Sequence, residues 1–229
     1  MKRRKFLTIA GGTVGVLGFS GFTFRCAFSA PPYQGPISDH FDGKHFINPL
    51  PGEPKGFADM MKWVTNREPG KWNDWTEIAP QPKPPERVGI GELRVTFINH
   101  ATVLLQIDGL NILTDPVWAK RAGPFSWMGP KRHKAPGVKL EDLPPLDAVL
   151  LSHNHYDHMD VSTLKRLSST HSRRRTIVTL GNRAYLEPLG IPVTAELDWW
   201  ETYDLGNDVR LHCVPAQHFS GRGFCDRST

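Results

Sequence analysis

Three histidines and two aspartates crowd the stretch "LSHNHYDHMD", which covers residues 151–160. Its spacing, His153-x-His155-x-Asp157-His158, places four side chains of metal-ligand type in one short segment. Imidazole and carboxylate are groups that bind borderline divalent cations such as zinc. A histidine-rich surface turn is the alternative interpretation. The number and spacing of the ligand-type side chains favour a metal site.

The segments on either side show how these side chains would be positioned. The preceding run "LDAVLLS" is continuously apolar, which is typical of a strand buried on both faces. Asp160 has the type and position of the N-cap of a helix over "VSTLKRLSST". A loop fixed at a strand end lets its side chains converge. Two metals ~3.5–4 Å apart at such a point can hold a bridging hydroxide for a displacement reaction.

The surrounding sequence predicts a layered α/β or α+β fold. "LRVTFINHATVLLQIDGLNILTDP" is typical of successive strands, and Asp108-Gly109 predicts a hairpin turn between residues 103–107 and 110–114. The apolar runs "TIVTL" and "VRLHCVP" predict two later strands, and "NRAYLEPLG" predicts a short helix. Strands that alternate with helices indicate sheets covered by helices.

Composition divides the chain into three parts. Residues 1–30 form an N-terminal signal or anchor, residues 31–89 a proline-rich extension, and residues 90–229 the main domain. The only periodic segment of the extension is "FADMMKWVTN", which predicts a helix around residues 57–66. We expect the extension to wrap the main domain without forming a domain of its own.

The first 30 residues carry five cations and no acids, and an apolar, glycine-rich run covers residues 6–24. This is the layout of an export signal, and "RRKFL" resembles a twin-arginine signal. An uncleaved membrane anchor is the alternative, but glycine and serine lower the hydrophobicity of the run. We expect an exported protein, periplasmic or anchored in the inner membrane, with membrane association through the N-terminus.

The charge of the rest of the chain argues against a nucleic-acid partner. The formal net charge is +5, but without the five N-terminal cations 23 basic residues face 23 acidic ones. A neutral body lacks the excess of cations that binding to a phosphate backbone requires. The expected partner is a small-molecule or phospholipid substrate. The sequence does not determine the oligomeric state.

The motif H-x-H-x-D-H after a buried strand resembles the signature of the metallo-β-lactamase superfamily. Other stretches resemble the branch that contains the N-acylphosphatidylethanolamine-hydrolysing phospholipase D: "SDHFDGKHFINP", "INHATVLLQ", "ILTDP", "GPKRH", "LDWWE" and "PAQHFSGRG". The resemblance implies a four-layer αββα sandwich. The family pattern continues beyond "QHFSGRG" to an aspartate that bridges both metals and a last histidine. We therefore expect this chain to hold the N-terminal half of the sandwich and part of the second half, as a truncated member.

The resemblance also assigns ligands. His153 and His155 would bind the first metal, with His218 of "PAQHFS" as the third ligand. Asp157 and His158 would belong to the second metal, and Asp157 would also act in catalysis by orienting the attacking water. The cofactor implied is zinc, one or two ions per full site.

Two further residues would support the site from behind the ligands. These are Asp115 in "TDP" and His100 in "NHAT". The position of Asp115 before a proline is equally typical of a turn residue. Second-layer partners of this kind fix the orientation of ligating imidazoles.

A long loop over residues 116–138 is the candidate substrate entrance. It carries Trp118 and Trp127 together with Lys131 and Arg132. Apolar anchors beside cations suit a phosphodiester with lipid tails, because Lys and Arg pair with phosphate oxygens. The alternative is that the aromatic side chains simply pack under the loop.

These features predict a zinc-dependent hydrolase that cleaves a phosphodiester of phospholipid type, with metal-activated water as the nucleophile. Two alternatives stay open. One is a lactone or β-lactam hydrolase of the same fold. The other is an inactive, truncated remnant that binds metal without turnover.

Overall fold

The structure, a computed structural model, describes residues 28–48, 50, 56–68, 70–79, 81–223 and 225–229. Nearly all of the expected export signal or anchor lies outside these residues. Within the part of the chain that is described, no helix has the length and apolarity needed to cross a bilayer. The predicted helix of the N-terminal extension forms as α1, Phe57–Asn66.

The main element is a six-stranded mixed sheet. Its strands lie side by side in chain order: β1 Leu93–Asn99, β2 Thr102–Ile107, β3 Leu110–Thr114, β4 Ala148–Leu151, β5 Arg175–Thr179 and β6 Ala195–Leu197. The first three are antiparallel, and β3 to β6 are parallel. The turn from β2 to β3 has positive φ at Asp108 (48°) and Gly109 (76°), as a tight type I′ hairpin requires.

Helices cover one face of this sheet. Helix α2, Val161–Thr170, begins at the predicted cap Asp160, whose carboxylate accepts hydrogen bonds from the backbone N–H groups of Ser162 and Thr163. Leu164 and Leu167 of α2 are fully buried in the larger hydrophobic core. A shorter helix, α3 Arg183–Leu186, and two 3₁₀ turns, Leu140–Asp142 and Glu187–Leu189, lie in the connections.

A second sheet packs on the opposite face. It is the antiparallel pair of β7, Thr202–Gly206, and β8, Val209–His212. Leu205 of β7 is buried with Leu110, Ile112 and Ile177 of the large sheet in a separate core. Helices, six-stranded sheet and small sheet are therefore stacked as three layers of the expected αββα arrangement.

Candidate metal centre

The ligand-type side chains gather at the carboxyl ends of the parallel strands. Asp115 follows β3, the loop of residues 153–158 follows β4, and Asp198 follows β6. In open α/β sheets this edge is where ligands bind, because loops from neighbouring strands meet there. The short, buried strand β4 fixes the start of the histidine loop.

The first group consists of His153, His155 and His218. One ring nitrogen from each lies within 4.8 Å of the others. Nε2 of His153 is 3.0 Å from Nδ1 of His155, and Nε2 of His218 is 3.2 Å from the same Nδ1 atom. The fold therefore brings together the three imidazoles that the resemblance assigns to the first metal, although His218 comes from the loop after β8.

The second group consists of Asp157, His158 and His100. Oδ2 of Asp157 lies 3.0 Å from Nε2 of His100 and 3.8 Å from Nε2 of His158. His100 was expected behind the ligands, but the structure places its ring nitrogen among the ligand atoms themselves. The rings of His153 and His158 are 4.1 Å apart at their centroids. The two groups therefore adjoin, as a two-metal centre requires.

Asp115 lies behind the second group and contacts it through His158. It is 5% exposed, and its carboxylate accepts hydrogen bonds from the backbone N–H and the hydroxyl of Ser152. Nδ1 of His158 lies 2.8 Å from the same carboxylate. A proton on Nδ1 completes this hydrogen bond and leaves Nε2 of His158 as the atom that faces the site.

Burial favours the neutral form of two imidazoles in the first group. Burial lowers the pKa of His153 to about 4, assisted by the neighbouring imidazoles of His158, His155 and His218. Burial and His218 also lower the pKa of His155. An imidazole must be unprotonated to bind a metal, so these two rings are ready for a cation at neutral pH.

In the second group, the pKa values of His158 and Asp157 shift in opposite directions. Burial alone would lower the pKa of His158, but the hydrogen bond and charge of Asp115, with the charge of Asp157, raise it. Burial alone would raise the pKa of Asp157, but its backbone hydrogen bond and the nearby imidazoles lower it. Asp157 is therefore an ionised carboxylate at neutral pH, able to accept a hydrogen bond from water.

Two residues of the site adopt a left-handed backbone conformation. The φ angle is 41° at His100 and 36° at Asp115. Residues other than glycine rarely adopt such angles, and a structure that holds them there has to compensate for the strain. Neither angle was predicted from the sequence. The two strained residues follow β1 and β3 directly, at the points where these strands end beside the site.

A buried arginine missed in the sequence connects the two ligand-bearing loops. Nη1 of Arg222 donates hydrogen bonds to the backbone carbonyls of Asn154 and Met159 at 2.8 and 2.9 Å. Its guanidinium also lies 4.0 Å from the ring centroid of Tyr156. In return, the side-chain oxygen of Asn154 accepts the N–H of Gly221. The segment that carries His218 is thus held on the histidine loop.

A second missed contact involves His40, for which the sequence offered no ligand role. His40 is 8% exposed, and its Nε2 lies 2.7 Å from Oδ1 of Asp198, while Nδ1 faces Asp39. Its ring stacks on that of Trp199 with centroids 4.1 Å apart. The quoted stretches "SDHFDGKHFINP" and "LDWWE" therefore meet in space at the wall of the site.

The candidate entrance loop divides into packing and exposed residues. The ring of Trp118 packs against the larger core and its Nε1–H donates to the carbonyl of Val138, so this side chain has the packing role that was the alternative. The guanidinium of Arg132 donates to the carbonyls of Val117 and Ala119, which places it under the loop.

The other two entrance residues face solvent. Trp127 is 68% exposed and stacks on Phe125 with centroids 5.1 Å apart. Nζ of Lys131 lies 2.7 Å from a carboxylate oxygen of Asp74. A substrate role for the loop stays a prediction, and these positions favour Trp127 and Lys131 over Trp118.

A cavity of about 370 Å³ opens beside His153 and His218. Its wall is largely apolar, with contributions from the N-terminal extension, the end of β5, β6 and the loop after β8: Phe46, Ile47, Leu180, Leu197, Val214 and Phe219. The candidate metal centre therefore adjoins a space suited to an apolar group.

Paired groups of imidazole and carboxylate ligands at the strand ends of a layered α/β fold define a metallo-hydrolase type of site. The sequence agrees, since residues 110–229 match the model of the Beta-lactamase superfamily domain. This match covers more than half of the chain. The chain belongs to that family, which confirms the resemblance and the fold class, and the family implies that the protein binds a divalent metal.

Two curated relatives carry the same description. The chain is 40% identical over 144 residues to N-acyl-phosphatidylethanolamine-hydrolyzing phospholipase D 1 of Caenorhabditis elegans, which covers 59% of this chain and 40% of the relative. It is 35% identical over 134 residues to the mitochondrial N-acyl-phosphatidylethanolamine-hydrolyzing phospholipase D of Saccharomyces cerevisiae, covering 57% of this chain and 28% of that protein. The chain thus spans less than half the length of these relatives.

Among solved structures, a metallo hydrolase from the archaeon Ignicoccus hospitalis is 18% identical to the chain. The match covers 59% of this chain and 53% of that protein, with a TM-score of 0.40.

Proposed function

We propose that this protein is a zinc-dependent hydrolase that cleaves a phosphodiester of phospholipid type. The observation that carries the proposal is the junction of the two ligand groups, in which the rings of His153 and His158 lie 4.1 Å apart. Cations held by the side chains of these two groups would supply Lewis-acid stabilisation for a displacement at phosphorus. Phosphodiester hydrolysis uses this arrangement.

The substrate class is supported by two further observations. Both curated relatives described above are named for hydrolysis of an N-acylated phospholipid. In this chain the largely apolar cavity adjoins the first ligand group, where an acyl or glyceride portion would be removed from water. A β-lactam or lactone without a long alkyl chain would use less of that apolar wall.

The proposed mechanism assigns a separate task to each residue. His153, His155 and His218 would hold one cation, and Asp157, His158 and His100 the other. Bound zinc supplies Lewis-acid chemistry at this point. The ionised carboxylate of Asp157 would orient the attacking water by accepting its hydrogen bond. Asp115 keeps the proton of His158 on Nδ1 and so holds the ring in position.

The test compares substrates and metals on one preparation. The chain is stripped with a chelator, reloaded with zinc or anaerobically with ferrous iron, and assayed on N-acylphosphatidylethanolamine, bis-p-nitrophenyl phosphate and nitrocefin. We expect zinc to support turnover of the two phosphodiesters and not of nitrocefin. Asp157→Asn should lose turnover by about 100-fold or more, the scale of a lost acid–base group.

Other results would replace the proposal. Turnover of nitrocefin or of a lactone alone would assign the site to a carbonyl substrate. Higher activity with ferrous iron than with zinc would overturn the assignment of zinc as the cofactor. Bound zinc without turnover of any substrate would identify a metal-binding remnant.

We also propose that the protein is exported, with its N-terminus as signal or inner-membrane anchor. The support is the basic start followed by the apolar run of residues 6–24. A fusion of residues 1–30 to a reporter that is active only after twin-arginine export tests this. Replacement of Arg3 and Arg4 by lysine should abolish export, and unchanged export would assign the segment to another route.

A further inference from the structure

A second cavity, of about 620 Å³, adjoins the other ligand group. Its wall includes His100 and Asp157, whereas the apolar cavity is bounded by His153 and His218. The two spaces therefore adjoin different ligand groups of the same candidate centre. The second one lies between the end of β1 and the loop of residues 116–138.

The wall of this second cavity is strongly cationic. Five lysines and arginines line it: Lys120, Arg121, Lys131, Arg132 and Lys134. Asp157 is the only carboxylate among its lining residues, and Nε2 of His100 lies 3.0 Å from it. Cations gathered around a concave surface raise the local potential and attract anions.

Some of these cations already have partners, and others do not. Arg132 donates to backbone carbonyls, and Lys131 pairs with Asp74. Arg121 uses Nη1 for the carbonyl of Gly129, but this bond leaves its charge uncompensated. Within the described residues, no carboxylate forms an ion pair with Lys120 or Arg121. These two side chains are available to an incoming anion.

We propose that this cavity binds a phosphate-type anion of the substrate, separate from the ester that lies at the metal centre. A tetrahedral phosphate accepts several charge-assisted hydrogen bonds at once, which suits ammonium and guanidinium groups arranged around a concave wall. This inference rests on the proposed function and narrows its substrate class. The substrate would have an apolar part beside His153 and His218 and a second anionic group beside His100 and Asp157.

Phosphate binding can be measured without turnover. The full chain, kept metal-free with EDTA, is titrated with inorganic phosphate in a calorimeter at low ionic strength. We expect one saturable site. The variant Lys120→Gln with Arg121→Gln should bind phosphate about tenfold or more weakly, since two charge-assisted contacts are lost.

The matched control is Lys165→Gln with Arg173→Gln, which removes the same charge from exposed positions that do not line the cavity. It should bind phosphate like the parent chain. Absence of saturable binding, or an equal loss in the control, would overturn the inference, since only the general charge would then matter. Zinc stoichiometry of the same variants, expected to be unchanged, separates this result from failure of the metal centre.

Two further arms identify the source of the phosphate. Cosedimentation with phosphatidylcholine vesicles, with and without phosphatidic acid, tests a lipid headgroup, and calorimetry with glycerol 3-phosphate tests a soluble ester. Retention on acidic vesicles that the cavity variant loses and the control keeps would assign the site to a headgroup. Binding of glycerol 3-phosphate without vesicle retention would assign it to a soluble phosphoester.

Discussion

Nδ1 of His158 lies 2.8 Å from Oδ2 of the buried Asp115. Two hydrogen bonds from Ser152 hold the carboxylate in place, so the ring is oriented by a rigid partner at the end of β3. Nε2 is the nitrogen that remains for the site, and it faces Asp157 at 3.8 Å. Asp115 thus acts on the second ligand group through His158 without belonging to it.

We expect Asp115→Asn to weaken metal binding at the second group. The amide cannot accept all three hydrogen bonds that the carboxylate accepts, so the His158 ring loses its orientation. Loss of a second-layer partner of this kind costs about 10–100-fold in metal affinity. Competition against a chromophoric zinc chelator measures the change.

The matched control for this prediction is Asp208→Asn. Asp208 is exposed and has a φ angle of 62°, which asparagine tolerates well. It should bind zinc like the parent chain. Equal zinc affinity in Asp115→Asn and the parent would mean that Asp115 is only a turn residue.

Removal of His218 tests the first group. His218→Ala should release the metal held with His153 and His155, because two imidazoles alone leave a zinc site short of protein ligands. Zinc content after dialysis should fall relative to His212→Ala, which removes an exposed histidine from β8. Retention of zinc by His218→Ala would assign the third ligand to another residue.

Local sequence signals were sufficient to predict most of the helices, strands and turns. The Asp108-Gly109 turn, the Asp160 cap and the helix over residues 57–66 form where predicted, because each depends on a few adjacent residues. The histidine loop could also be predicted as a candidate metal site, because its ligand-type residues are close in sequence. These features need no knowledge of the tertiary contacts.

The remaining parts of the site depend on contacts between distant segments. His40 and Asp198 are 158 positions apart, and Arg222 reaches Asn154 from 68 positions away. No local pattern indicates such a partner. The placement of His100 among the ligands follows from the adjacency of β1, β2 and β3 and from its positive φ angle, which the sequence does not specify.

Stability should depend on pH through His40. Burial alone would lower the pKa of His40, but its hydrogen bonds to Asp39 and Asp198 and their charges raise it above 6.5. The protonated ring therefore stabilises the fold fully below about pH 6.5, the ordinary value. This contribution is lost as the pH rises through the raised value.

The prediction for His40 is measured by thermal unfolding of the metal-free chain across this pH range. The parent should lose more stability than His40→Gln as the pH rises from about 6, where the ordinary histidine begins to titrate. His45→Gln, which changes a largely exposed histidine of the same extension, serves as control and should keep the parent's profile. Parallel profiles for the parent and His40→Gln would contradict the role of this contact.

Arg222 should affect stability and metal binding together. Arg222→Ala leaves the carbonyls of Asn154 and Met159 without their donor, and buried carbonyls that lose a partner cost about 1–3 kcal/mol each. Urea unfolding should show this loss, whereas Arg210→Ala, at an exposed position of β8, should not. The same change frees the segment that carries His218, so zinc affinity at the first group should fall as well. Lower stability with unchanged zinc affinity would show that the segment is held in place by other contacts.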